Sequence, residues 1–355
     1  MSATHTSPDQ SDQPEATSQD SRSRWSPIVA KIGTDNLALI VAEIALVALI
    51  ASQTDKFFLP QNLLNIGQNI AVVGIAAVGE AMVVVSAGLD ISIGSIAGVA
   101  SVVAALMVTN TGSLWGGVAL ALVVGLVLGL LNAGIITKLR VSPVVATLAT
   151  LSAFQGLAFL IAPGGRSIGV LDQGFRQLGS GRILQTDTFP GIPISLLILL
   201  AVSGIAHVTM KHTVYGRNIY AMGGNADAAR LSGVNLTRMK FAVYAVSGVT
   251  AALAGIILTA RTSSGQPVSG SQGLELDALT AVFLGGALMA GGKGTIAGTL
   301  LAVVLLGTLS NGMNLLGIPT FYQLVAKGLL LVLAVAVGQW RVARSEKAQA
   351  AAAAA

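Results

Sequence analysis

Apolar residues run through this chain in blocks of about 20, the length a helix needs to cross the hydrocarbon core of a bilayer, and short polar breaks separate the blocks. The pattern predicts membrane-spanning helices at 36–53, 63–86, 92–109, 114–136, 141–162, 191–210, 240–260, 277–290, 295–313 and 319–339. The block at 277–290 is short for a crossing. Ten crossings put both ends of the chain on one side. Residues 1–24 are rich in Ser, Thr, Gln, Asp and Pro and hold no apolar run, which predicts a disordered tail rather than a cleaved leader. The organisation expected is a tail at 1–35, a transmembrane domain at 36–340 and a second tail at 341–355. The fold class is all-α, a polytopic helical membrane protein.

Charge orients this arrangement. Of 20 Lys and Arg residues, fourteen fall on the side of the N-terminus. Five fall on the other, Lys56, Arg166, Arg176, Arg182 and Arg261, and Lys327 lies inside the last span. Basic residues are retained on the cytoplasmic side of a membrane, so both termini are expected there. Composition agrees: 53% of residues are hydrophobic and 10% charged, against about 25% charged in an ordinary soluble domain, and mean hydropathy is +0.77. The 42 glycines suit helices that approach closely in lipid. Cysteine is absent, which excludes disulfides and thiolate metal sites. The net charge of +5 is accounted for by topology and calls for no nucleic acid.

Three polar segments carry the candidate chemistry. The longest is 211–240, KHTVYGRNIYAMGGNADAARLSGVNLTRMK, with five basic residues and a predicted short helix at its centre. Asn225 is placed to cap that helix, Asp227 sits in its first turn, Ala228 to Leu231 favour it, and Gly233 can end it. By charge alone the segment would serve equally as a solvated cytoplasmic loop. The second, SAGLDISIGS at 86–95, sets a carboxylate, hydroxyls and glycines between apolar runs, where unpaired polar groups are costly. It is expected to face protein or a water-filled path; capping of the next helix by Asp90 or Ser92 is the plainer reading, and the two are compatible. The third, RTSSGQPVSGSQGLEL at 261–276, is too rich in Gly and Ser for a regular span and is expected as an outer loop or a re-entrant element.

Weaker signals surround these. Glu43 and Glu80 are carboxylates inside spans, with pairing between helices the favoured role. His207 and His212 sit at a span end with no metal-ligand spacing. Thr147, Thr150, Ser152 and Gln155 form a polar stripe on the fifth span, and Ser310, Asn311 and Asn314 another on the ninth. Such groups often glue helices together, and they would also line a path for a sugar. GGKGT at 291–295 fails as a phosphate-binding loop, since Gly294 follows Lys293 where Ser or Thr is required.

Asp227-Ala228-Ala229 with Gly233 resembles the acidic-Ala-Ala-x-x-x-Gly loop of permeases in ATP-binding-cassette importers, with Asp where many carry Glu. SAGLDISIGS, VSPVVATLATLSAFQGLAF and LGGALMAGGKGT resemble stretches of the ribose, xylose and arabinose permeases of that class. The resemblance covers about 36–340 and leaves both tails unmatched. It implies that Asn225, Asp227, Ala228, Ala229, Arg230 and Gly233 form a coupling helix seated on an ATPase. Gly88, Asp90, Ser92 and Ser95, with Thr147, Thr150, Gln155, Asn311 and Asn314, are then candidates for the translocation pathway. Lys56, Arg166, Arg176, Arg182 and Arg261 are candidates for docking a periplasmic sugar-binding protein.

The further partners implied are two ATP-binding cassette ATPase domains and a second permease copy or paralogue, in the inner membrane of a bacterium. No cofactor is expected in this chain, since ATP and Mg belong to the ATPase, and no catalytic or metal site is expected. The rivals are a permease for branched-chain amino acids, a related family, and an ion-coupled secondary transporter using Glu43, Glu80 and Asp90. The second leaves the 211–240 loop without a role.

Overall fold

The structure is a computed structural model describing residues 34–186, 189–268 and 272–354. Of the expected tail at 1–35, residues 1–33 lie outside the described residues and Thr34 and Asp35 open the first helix. Thirteen helices are present among those described: α1 (Thr34–Gln53), α2 (Pro60–Val85), α3 (Ile93–Thr111), α4 (Leu114–Lys138), α5 (Pro143–Ile161), α6 (Gln173–Ser180) and α7 (Ile194–His212), then α8 (Val214–Gly224), α9 (Ala226–Leu231), α10 (Leu236–Thr262), α11 (Leu274–Leu284), α12 (Ile296–Leu315) and α13 (Thr320–Ala354). Nine of them, α1 to α5, α7, α10, α12 and α13, are long and apolar enough to cross a membrane. The protein is a multi-pass helical membrane protein.

Helix ends follow local chemistry. Pro60 and Pro143 open α2 and α5 at positions where a missing N–H costs nothing. Ser113, Asn235 and Thr295 cap α4, α10 and α12 by accepting from the N–H of Gly116, Arg238 and Gly298. The last helix continues through the expected C-terminal tail to Ala354.

The span expected at 277–290 is the element that differs. There α11 has eleven residues, about 16 Å of helix, roughly half the thickness of a hydrocarbon core. Glycines end it: Gly286, Gly291, Gly292 and Gly294 all take positive φ, and the chain from 285 to 295 folds back instead of continuing. The Gly292 N–H donates to the Val85 carbonyl at 2.8 Å, and the Tyr220 hydroxyl to the Gly294 carbonyl at 2.8 Å.

Helix α2 is the most deeply enclosed span and α10 packs on α2, α3 and α4, while α1 and α13 lie at the periphery. Close approach of α4 and α10 depends on small residues. Gly125 and Gly129 of α4 face Gly248, Ala252 and the Tyr244 carbonyl of α10, with no room for a side chain at Gly129 or Gly248. The association of such helices in lipid rests on this kind of contact.

At one end of the bundle two short ribbons close the loops: β1 (Ile168–Gly169) pairs antiparallel with β4 (Ser264–Gly265), and β2 (Arg182–Ile183) with β3 (Ile192–Pro193). Helix α6, capped by Asp172, plugs this end with a fully buried Phe175.

Candidate functional site

The segment 211–240 lies at the opposite end, as two short helices rather than one. Thr213 caps α8 by accepting from the Gly216 N–H, and Asn225 both ends α8 and caps α9, its Oδ1 accepting from the Ala228 N–H at 2.9 Å. At the exit the N–H of Gly233 bonds the Arg230 carbonyl and that of Val234 the Ala229 carbonyl, each at 3.0 Å. Gly233 has φ +85 and nothing near the place of a Cβ, so it serves the left-handed turn and not a close contact. The start and end of α9 were therefore legible from residue type; α8 was not.

The face of α9 divides. Asn225, Asp227, Ala228, Arg230 and Gly233 are exposed, whereas Ala229 is buried within this chain. Leu231, read from the sequence only as a helix former, is 90% exposed; a leucine at the end of a polar helix was the available signal of a contact. Asp227 and Arg230 make a loose exposed pair at 4.0 Å. Helix α8 anchors the loop to the bundle: Gly223 packs directly on the Val85 carbonyl and near Gly292, and Tyr220 bonds Gly294. Burial pushes the Tyr215 hydroxyl of α8 up to about 12, so it stays neutral.

Val85 ends α2, and the polar turn 86–95 follows immediately. Asp90 is fully buried and accepts four hydrogen bonds. Its Oδ1 takes the Ser92 N–H (3.1 Å), the Ser92 hydroxyl (2.6 Å) and Asn132 Nδ2 (3.4 Å); its Oδ2 takes the Ser247 hydroxyl (2.8 Å). Its own N–H donates to Glu80 Oε1 at 3.2 Å. Asn132 also donates to the Ser92 hydroxyl at 2.7 Å, and Tyr244 to the Leu89 carbonyl at 3.0 Å. Neither carboxylate has a salt bridge among the described residues. The turn thus binds α2, α3, α4 and α10 together through neutral donors. Gly88 and Ser95 are buried with it, and the Ser95 hydroxyl bonds back to the Ser92 carbonyl.

The other pathway candidates separate into two groups. Thr147 and Thr150 are buried on α5 and bond back to their own helix; Thr147 also reaches the Leu89 carbonyl at 3.5 Å, which brings it to the Asp90 turn. Gln155 is half-buried farther along α5. Asn311 lies near the start of α2, in a reciprocal amide pair with Asn62 at 2.8 and 3.0 Å. Exposed Asn314 accepts from Gln323 at 2.8 Å, joining α12 to α13. Within one chain the Asp90 group and the Asn311 group sit at opposite ends of α2.

The five basic residues expected on the outer side all lie at the end of the bundle opposite α9. Lys56, Arg166 and Arg176 are exposed; Arg182 and Arg261 are half-buried, Arg182 donating to Gln61 at 3.1 Å. Glu43 accepts from Thr308 at 2.8 Å, joining α1 to α12. No group of three or more potential metal ligands occurs among the described residues.

Residues 62–335 match the family described as branched-chain amino acid transport system / permease component. The chain is 40% identical over 301 residues to the ribose import permease protein RbsC of Escherichia coli strain K12, covering 84% of this chain and 92% of that protein. It is 38% identical over 297 residues to RbsC of Bacillus subtilis strain 168 (82% and 88%), and 36% identical over 280 residues to the L-arabinose transport system permease protein AraH of Escherichia coli strain K12 (79% and 83%). No solved structure matches the chain.

Proposed function

The chain belongs to the family of branched-chain amino acid transport system permease components, and from that footing we propose that it is the membrane-spanning subunit of an ATP-binding-cassette importer for a small, pentose-like sugar. The sugar is delivered by a periplasmic binding protein, two ATPase domains on separate subunits hold ATP and Mg and supply the energy, and a second permease copy or paralogue completes the pore in the bacterial inner membrane. The observation that carries this reading is α9: a capped helix at the basic end of the bundle, presenting Ala228 and Leu231 outward and braced from behind by α8.

In this reading the exposed Leu231 and Ala228 enter a cleft of the ATPase, with Asn225, Asp227, Arg230 and Gly233 shaping the contact. Movement of α9 reaches the bundle through α8, whose Gly223 rests on Val85 and Gly292, one residue before the Asp90 turn. The buried turn then moves as a unit with α2 and α10. The path itself would form between two permease copies, where Thr147, Thr150 and Gln155 on α5 and the Gly88–Ser95 turn behind them supply hydroxyl and amide groups. Asn311 and Asn314 stand nearer the outer mouth. Lys56, Arg166, Arg176, Arg182 and Arg261 would receive acidic residues of the binding protein, a contact that weakens with salt.

The family's description favours a second reading, a permease for branched-chain amino acids. The ribose and arabinose permeases among its relatives, at 36–40% identity, favour the sugar. Both are tested by reconstituting the permease with an ATPase and binding protein of the same transport class. Binding-protein-dependent ATPase activity is measured against ribose, arabinose, xylose and leucine. Stimulation by a pentose alone supports the proposal; stimulation by leucine alone replaces it with the second reading. Uptake that persists without ATPase would promote an ion-coupled carrier using Glu43, Glu80 and Asp90.

A further inference from the structure

A cavity of about 330 Å³ opens at the end of the bundle that carries α9, between the α4–α5 turn and the start of α10. Three basic side chains from three segments line it, Arg140, Arg230 and Lys240, and no carboxylate does. Pro143 and Thr237, in the first turns of α5 and α10, line it too, so two helix N-termini add their positive ends to the same space. Arg140 holds φ +56, a conformation that non-glycine residues seldom adopt. Asp227, paired with Arg230 at 4.0 Å, is on the exposed side and outside the lining.

We propose that this cavity holds the phosphodiester group of an anionic phospholipid. Guanidinium and ammonium groups converging with two helix N-termini suit a phosphate, and basic pockets between helices on the cytoplasmic side are where such headgroups bind. A lipid fits better than a free phosphate because the cavity is lined by apolar Ile136, Val141 and Leu236 as well as by the basic residues. An acyl chain would lie against these three while the headgroup meets the basic residues. The site stands whether or not the chain couples to an ATPase, and it lies beside the α9–α10 junction, so its occupancy would stiffen that junction.

The test uses the full chain, purified and stripped of lipid, titrated with phosphatidylglycerol or phosphatidylcholine and read by native mass spectrometry. One tightly held phosphatidylglycerol is expected, in preference to phosphatidylcholine. Arg140→Gln and Lys240→Gln should each weaken it about fivefold and the pair about 25-fold, at roughly 1 kcal/mol per charge. Arg140→Lys should retain most of the binding, and Lys211→Gln, which removes an exposed charge outside the cavity, should change nothing. Equal binding of both lipids, or equal loss in the Lys211 variant, overturns the site. Displacement of the lipid by millimolar inorganic phosphate assigns the cavity to a soluble anion and overturns the lipid. Unchanged phosphatidylglycerol binding in the Arg140→Gln, Lys240→Gln pair with loss of ATPase co-purification would give the cavity to the ATPase interface instead.

Discussion

The turn at 86–95 and the α8–α9 loop are made of the same kinds of residue, an aspartate among hydroxyl, amide and glycine neighbours between apolar helices, yet they do opposite things. Asp90 is fully enclosed and accepts four hydrogen bonds from two helices and its own turn. Asp227 has a side chain 88% exposed and a single loose partner. An aspartate acts as an architectural node where burial makes every unmade hydrogen bond costly. Where water can replace each bond, it acts as surface.

The sharpest way to break this comparison is chemical access, an all-or-none effect in a chain without cysteine. Arg176→Cys should react with a membrane-impermeant maleimide from outside the cell and Asn225→Cys only after the inner face is opened. Ser95→Cys in the isolated permease should react from neither side until the protein is denatured. Reaction of Ser95→Cys in the folded permease would show that the turn faces water after all.

Next in size is stability. Asp90→Ala leaves the Ser92 and Ser247 hydroxyls without their acceptor and Asn132 with Ser92 alone, and at about 1–3 kcal/mol for each stranded buried group the permease should lose most of its folded yield. Asp227→Ala should shift its melting by no more than about 0.5 kcal/mol. Thermal unfolding in detergent compares the two.

The loop predicts the reverse ordering for association. Ala228→Leu, on the exposed side, should leave expression unchanged while overpacking the ATPase contact by about 1–3 kcal/mol, or roughly five- to 150-fold in ATPase affinity. Ala229→Leu should instead lower the permease's own melting temperature, because Ala229 is already packed inside this chain. If the two variants swap behaviours, the proposed face of α9 is the wrong one.

The smallest effect is expected at the outer end: Asn311→Ala breaks the reciprocal pair with Asn62 at about 0.6–1.7 kcal/mol. It should lower the melting temperature by a few degrees and leave uptake intact if Asn311 is glue, and reduce uptake if it lines the path.

Residue type alone disclosed what is local. Long apolar blocks marked the nine long helices, and Asn225 and Gly233 marked both ends of α9, because capping needs only neighbours in sequence. Contacts across the chain stayed hidden: Asp90 and Ser247 are 157 positions apart, and nothing near either names the other. The Asp90 signature was visible, but whether it faced a path or a packed interior was a tertiary property. At 277–290 hydropathy marked the segment but not the length of its helix, since Leu288 and Met289 keep the average high across glycines whose positive φ values stop the helix at Leu284.

Half-length α11 has a consequence for how the chain enters the membrane. A segment of eleven helical residues carrying Glu275 and Asp277 is a poor substrate for insertion by itself. Helix α13 has the complementary defect, Lys327 within its apolar stretch, at about 2.5–3.5 kcal/mol near a helix centre. The structure joins them: Lys327 Nζ meets Asp277 Oδ2 at 2.8 Å. Each element carries the charge that makes the other tolerable, so α11 settles into the bilayer only once α13 has been synthesised. A nascent chain cut before residue 327 would therefore leave Asp277 without its counter-charge and α11 less firmly held in the bilayer.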